Sequence, residues 1–275
     1  MVKNLLEKSI WVAILFLLVG VLYSRKDSKK NTHLLFGIGW IFFGFYWLSL
    51  PIGFLETSDY FNALLTFLSS LLAWFVAYLE LRYNDKFSEE LIYLGKAAGI
   101  ASLFYFPYHF VSTIQPTLAQ EIVAKQTIFV LDFFNLPVSS EGNLIIYNAA
   151  KVGVVEITYA CTGLGSMALF VGAIIPSKDK LKLRVKTLLV SLFTIYLLNI
   201  LRNAFVVFAT GESLFDGISL LGMEGSFNIA HNVLAKIGSL IALFLIAYYL
   251  LIKLPNLQER ILDILSIPRK FLKEI

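Results

Sequence analysis

One cysteine, Cys161, is all the 275-residue sequence contains, which excludes an intramolecular disulfide and any multi-cysteine metal site. The three histidines, His33, His109 and His231, are far apart in the chain and do not form a histidine-rich metal motif. Charge is scarce as well: Asp, Glu, Lys and Arg make up 15% of the residues, against about 25% in a typical soluble domain. Hydrophobic residues reach 58% and the mean hydropathy is +0.75, more apolar surface than one soluble core of this size can bury. These values exclude a cytosolic enzyme, a secreted domain and a disordered chain. No internal repeat, low-complexity tract, nucleotide-binding motif or metal motif is present, so no cofactor and no metal are expected.

What the chain does have is long apolar runs. Seven candidate membrane helices cover roughly 9–23, 34–55, 60–80, 91–110, 162–177, 186–209 and 230–252. The first is followed by Arg25, Lys26, Lys29 and Lys30, not by a small-residue cleavage site, and is read as a retained helix. The formal charge of +4 reports topology, and no nucleic-acid partner is expected. Sixteen Lys and Arg residues fall in one set of alternate connections, among them 178–186 and the C-terminal tail, and four in the other. This bias predicts a multi-pass cell-membrane protein with its N-terminus outside and its C-terminus in the cytoplasm.

The expected fold is therefore an all-α polytopic membrane protein forming a single domain over 1–275. Residues 111–160 form an extracytoplasmic insertion and 253–275 a cytoplasmic tail. In the insertion, Leu118, Ile122, Phe129 and Phe133 recur at near-helical spacing after Pro116, which predicts a helix lying in the interface. Asn143–Tyr147 and Val152–Tyr159, rich in β-branched and aromatic residues, read as a β-hairpin turning at 148–151. After Pro255, Leu257, Ile261 and Leu265 mark a short interfacial helix. The acidic loop 210–229, with Glu212, Asp216 and Glu224, is expected to face water.

Three polar residues fall near the extracytoplasmic boundary on this topology. Cys161 opens the fifth helix, Arg202 lies about 10 Å below the outer end of the sixth, and His231 sits in the first turn of the seventh. Their chemistry is complementary. A thiol is activated by a helix N-terminus or a nearby cation, an imidazole carries its proton, and a guanidinium donates to a developing oxyanion. Small residues beneath Cys161 (Gly165, Ala168, Gly172) and beneath His231 (Ala235, Gly238) would let the two helices approach with thiol and imidazole atop the seam. Asn199 shares a face with Arg202 and would orient it. Taken singly, a lone membrane cysteine is also a small packing residue, an arginine also binds lipid phosphate, and an interfacial histidine is commonly just a satisfied polar group.

The segment Tyr159-Ala160-Cys161-Thr162-Gly163-Leu164 resembles the A-C-[ST]-G signature of the exosortase and archaeosortase family. Asn199-Ile200-Leu201-Arg202-Asn203 is similar to that family's N-x-x-R segment, and Ala230-His231-Asn232-Val233-Leu234 to its third block. The resemblance covers roughly 136–245. It implies a membrane cysteine protease-transpeptidase whose substrates are membrane-anchored proteins with a C-terminal sorting signal. Such an enzyme removes the tail and passes the new C-terminus to a lipid or other surface acceptor. By position, Cys161 would be the nucleophile, His231 the general acid/base and Arg202 the oxyanion stabiliser. Two other readings stand beside it: a non-enzymatic transporter or lipid-binding protein using Arg202, and a rhomboid-like serine protease using Ser166. His109 is a second candidate base, better read as an anchor among aromatics. Glu156 is expected to pair or face solvent, and Lys236 to make structural or lipid contacts.

Overall fold

The computed structural model of the chain describes residues 2–24, 29–56, 59–112, 114–148 and 152–272. It is mostly helical. Five stretches are long and apolar enough to cross a membrane: Leu5–Tyr23, Lys29–Glu56, Tyr60–Arg82, Leu181–Gly211 and Ser226–Lys253. The expected spans at 91–110 and 162–177 differ from these. The first lies within a 25-residue helix whose first turn carries Glu89 and Glu90, and the second resolves into a turn and an 11-residue helix. The basic residues Arg25 and Lys26 and the hairpin turn at 149–151 lie outside the described residues.

By its internal contacts the chain divides into two compact units. The first comprises Met1–Leu103, Val171–Lys178 and Asn256–Ile275. Its helices are α1 (Val2–Tyr23), α2 (Lys29–Glu56), α3 (Tyr60–Arg82), the first part of α4 (Ser88–Ser112) and α10 (Pro255–Leu272). Short connections stack α1 on α2 and α2 on α3. Asp59 caps α3, its carboxylate accepting from the Asn62 amide at 3.2 Å. Leu17, Phe36, Trp40, Val76, Leu79 and Leu91 form the core. Phe36 packs against Gly20, where a Cβ would stand 2.6 Å from its ring, so the close approach of α1 and α2 depends on that glycine. The expected tail helix is α10. It buries Leu257 and Ile267, exposes Leu262 and Leu265, and sets Phe271 edge-on to Phe75, Tyr78 and Tyr83.

The second unit comprises Phe104–Phe170 and Asp179–Pro255. The insertion forms α5 (Leu118–Phe133) and an antiparallel three-stranded sheet of β1 (Val138–Glu141), β2 (Leu144–Asn148) and β3 (Val152–Glu156), in the order β1-β2-β3. The hairpin of β2 and β3 matches the expectation, with Ile145 opposite Val155 and Tyr147 opposite Gly153. β1 is additional. The side chains of α5 divide cleanly. Gln120, Val123, Ala124, Thr127 and Leu131 are buried, while Phe129 and Phe133 are 75% and 77% exposed, along with Leu118 and Ile122. Ile145, Tyr147 and Val155 from the sheet join Ala204 and Val207 of α7 (Leu181–Gly211) in one core.

After α7 the chain makes a two-strand turn, β4 (Ser219–Leu220) and β5 (Met223–Glu224). A single helical turn, α8 (Ser226–Asn228), then runs through a π-helical segment, Ile229–Leu234, into α9 (Ala235–Lys253). The acidic loop does more than face water. Glu212 accepts from the Tyr147 hydroxyl at 2.5 Å and Asp216 from Ser226 Oγ at 2.8 Å, so two of its three carboxylates fasten the loop, and Glu224 is exposed.

Candidate active site

Cys161 does not open a helix. It sits in a 3-10 turn, Tyr159–Thr162, closed by Gly163 in the left-handed conformation at φ +77°, and α6 (Leu164–Ile174) begins only afterwards. Glycine is required at that φ, and a Cβ there would also stand 3.2 Å from Asn199 Cγ. At 11 residues, α6 spans about 16 Å, shorter than the expected helix over 162–177. The turn is fixed from both sides. Thr162 Oγ1 donates to the Tyr159 carbonyl at 2.7 Å, and Gln120 on α5 donates to the Ile157 carbonyl at 3.2 Å. Cys161 itself is 6% exposed, with Thr158 Oγ1 3.4 Å from its sulfur.

The principal contact of the Cys161 backbone is a pair of amides. Asn199 Nδ2 and Asn203 Nδ2 both donate to the Cys161 carbonyl oxygen, at 2.7 and 2.9 Å. Asn199 therefore holds the cysteine turn and does not orient Arg202, as its position on α7 had led us to expect. The neighbour of the guanidinium is Asn203, whose Oδ1 accepts from Arg202 Nη1 at 3.3 Å. The signal for Asn199 was its motif position; nothing in the sequence singled out Asn203.

His231 lies in the π-helical segment, in the second turn of the continuous helix that starts at Ser226, not in the first. Phe227 stacks on its ring with centroids 5.1 Å apart and planes 8° from parallel, fixing the plane of the imidazole. Arg202 thus connects to the Cys161 turn through Asn203. No hydrogen bond joins thiol and imidazole among the described residues. π-Helical turns insert one extra residue and recur at functional sites because they re-aim side chains.

A cleft of ≈ 300 Å³ opens beside this cluster, lined by Gly163, Ser166, Arg202, Leu234, Ala235 and Gly238 among others. Ala235 and Gly238 beneath His231 line this cleft instead of forming the expected seam, and a Cβ at Gly238 would meet nothing within 4 Å. The small residues beneath Cys161 do not meet them. A Cβ at Gly165 would face Tyr105 at 3.3 Å and one at Gly172 the Ala97 carbonyl at 2.5 Å, so that stripe packs on α4. His109 stacks on Tyr105 at 5.3 Å, with Tyr159 5.5 Å away, in an aromatic cluster as expected. Glu156 is exposed and accepts from Asn143 Nδ2 at 3.2 Å. No group of three or more His, Cys, Asp or Glu positioned to hold a metal ion occurs among the described residues.

The family model of the transmembrane exosortases matches residues 6–248. The chain is 24% identical over 281 residues to archaeosortase A of Haloferax volcanii, covering 93% of this chain and 91% of that protein. It is 25% identical over 280 residues to archaeosortase A of Natronomonas pharaonis, covering 94% and 87% respectively. No solved structure matches the chain significantly. With nearly its whole length inside the family match and several apolar helices long enough to cross a bilayer, this chain is a multi-pass membrane protein of the transmembrane exosortase family.

Proposed function

We propose that this chain is a membrane cysteine protease-transpeptidase that cleaves the C-terminal sorting signal of exported proteins and transfers the new C-terminus to a lipid or other surface acceptor. The observation that carries this reading is the Asn203 bridge, which ties the Cys161 turn to the Arg202 guanidinium beside a cleft. In the reaction, Cys161 Sγ attacks the scissile carbonyl and Arg202 stabilises the oxyanion. His231 takes the thiol proton and gives it to the departing amine, leaving a thioester. An acceptor hydroxyl or amine, or water, then adds to the thioester carbonyl, gives its proton to His231 and expels the Cys161 thiolate, which takes that proton back.

The same proposal places seven crossings in one membrane domain: the five longest spans, α4, and the segment 162–177, whose α6, about 16 Å long, falls short of the core thickness and leaves the Cys161 turn recessed below the outer surface. At 25 residues, α4 is about 37 Å long, enough for a hydrocarbon core of about 30 Å. The lysine and arginine bias orients the N-terminus outside and places Cys161, Arg202 and His231 at the extracytoplasmic face. Ser166 is the rival nucleophile, because its side chain lines the cleft whereas Cys161 is buried beside it.

The test is intact-mass analysis of the enzyme during turnover of a sorting-signal substrate in membranes. A covalent adduct on Cys161, released by hydroxylamine and equal in mass to the substrate lacking its tail, is the expected result. An adduct on Ser166, or turnover with neither residue modified, refutes the thiol mechanism.

A further inference from the structure

A second constellation lies in the first unit, remote in sequence from Cys161. Two of its apolar spans carry buried ionisable side chains, His33 on α2 at 2% exposure and Glu80 on α3 at 0%. His33 Nδ1 is 2.5 Å from Glu80 Oε2, and His33 Nε2 is 3.0 Å from Ser88 Oγ at the start of α4. Glu80 Oε1 is buried with no hydrogen-bond partner among the described residues.

An unsatisfied carboxylate oxygen inside an apolar bundle is costly, and ionisable side chains within membrane spans mark functional sites by default. The arrangement has a further property. When Glu80 is ionised it only accepts, so the proton it shares with His33 sits on Nδ1 and Nε2 is left to accept from the Ser88 hydroxyl at 3.0 Å. Ser88 in turn is half-buried and lines a cavity of ≈ 690 Å³. Hydroxyl at the wall, imidazole behind it and buried carboxylate behind that is the order a nucleophilic serine needs.

The cavity lining is rich in charge of both signs. Lys178 and Arg260 are held to Glu89 at 3.3 and 2.5 Å, and Lys29 and Lys96 line the same space. Such walls suit a polar group better than a hydrocarbon chain.

We propose that Ser88, His33 and Glu80 form a second acyl-transfer centre, independent of Cys161, acting on carboxylic esters with a polar alcohol part. Ser88 Oγ bonds to the ester carbonyl carbon and passes its proton to His33 Nε2. The carbon–oxygen ester bond breaks and the alcohol leaves with that proton. Water then adds to the acyl-serine, giving a proton to His33, which returns it to Ser88 Oγ as the carboxylic acid departs.

A fluorophosphonate probe applied to the full chain in membranes, with the adduct located by peptide mass spectrometry, tests this directly. Ser24 lines the same cavity and serves as the internal control. Labelling of Ser88 at least tenfold faster than Ser24, slowed at least tenfold by Glu80→Gln, is expected. Equal labelling of the two serines, or a Glu80→Gln rate equal to wild type, overturns the proposal. Should Glu80→Gln fail to fold, Ser88→Cys in a Cys161→Ala background asks the same question. Its thiol is expected to react with iodoacetamide at pH 7 at least tenfold faster than that of Ser24→Cys, and equal rates overturn the assignment. A soluble p-nitrophenyl ester and a phosphatidylcholine vesicle distinguish a free ester from a lipid-borne one. Turnover lost in Ser88→Ala identifies the source, and turnover of neither refutes the ester reaction.

Discussion

Asn203 holds Cys161 and Arg202 with the two ends of one amide, Nδ2 donating to the Cys161 carbonyl at 2.9 Å and Oδ1 accepting from Arg202 Nη1 at 3.3 Å. Removing it releases both. Asn203→Ala is expected to lower kcat for sorting-signal cleavage by about tenfold to a hundredfold with little change in KM, since geometry and not substrate contact is lost. Asn203→Asp keeps the acceptor toward Arg202 and loses the donor toward Cys161, and is expected to lose activity as well. Steady-state kinetics on a fluorogenic tail substrate decides this. A rise in KM alone contradicts a positioning role.

Gly163 is the hinge on which the cysteine turn closes. Gly163→Ala forces a Cβ into the left-handed region and against Asn199, at a cost of about 1–2 kcal/mol plus the disturbance of the amide pair. A lowered melting temperature together with reduced cleavage is expected. An unchanged melting temperature refutes the strain argument.

Tyr147 gives a pH dependence that can be worked out in sign. Burial, reinforced by the Glu212 carboxylate, pushes its phenol up to about 12, so the folded protein keeps this proton to higher pH than the unfolded chain, whose tyrosines titrate near 10. Between those values the folded state binds more protons, and stability falls as pH rises from about 10 to about 12. Tyr147→Phe is expected to cost about 1 kcal/mol at pH 7 through the lost hydrogen bond and to shrink that alkaline loss. Melting curves of wild type and variant at pH 7, 10 and 11 test both parts.

The orientation follows from charge bias and is tested by substituted cysteines in a Cys161→Ala background. Glu141→Cys at the end of β1 is expected to react with a membrane-impermeant maleimide added outside intact cells. Gln258→Cys on α10 is expected to react only after permeabilisation. Both sites are exposed. The reverse pattern inverts the topology.

How much of this was legible in the sequence depended on the range of the interaction. Runs of about twenty apolar residues announced α1, α2, α3, α7 and α9, and alternating Ile145, Tyr147 and Val155 announced β2 and β3. β1 carries Val138-Ser139-Ser140-Glu141, too polar and too exposed to show a strand pattern. The apolar run through Thr162–Pro176 read as one helix because Gly163 breaks it by backbone conformation, not by polarity. The near-helical recurrence of Leu118, Ile122, Phe129 and Phe133 announced α5, because helical spacing is local, and these four side chains form its exposed face. The amide pair on Cys161 joins residues 38 and 42 positions apart, and His33–Glu80 joins residues 47 apart, contacts no local pattern can signal. The π-helical turn around His231 has no sequence signature of its own.

The central claim is that the Cys161 thiol is the nucleophile, and cleavage of one sorting-signal substrate by wild type, Cys161→Ala and Ser166→Ala in membranes tests it most directly. The account predicts that Cys161→Ala leaves the precursor uncut while Ser166→Ala still removes the tail. Cleavage by Cys161→Ala at the wild-type rate, with loss in Ser166→Ala, contradicts it.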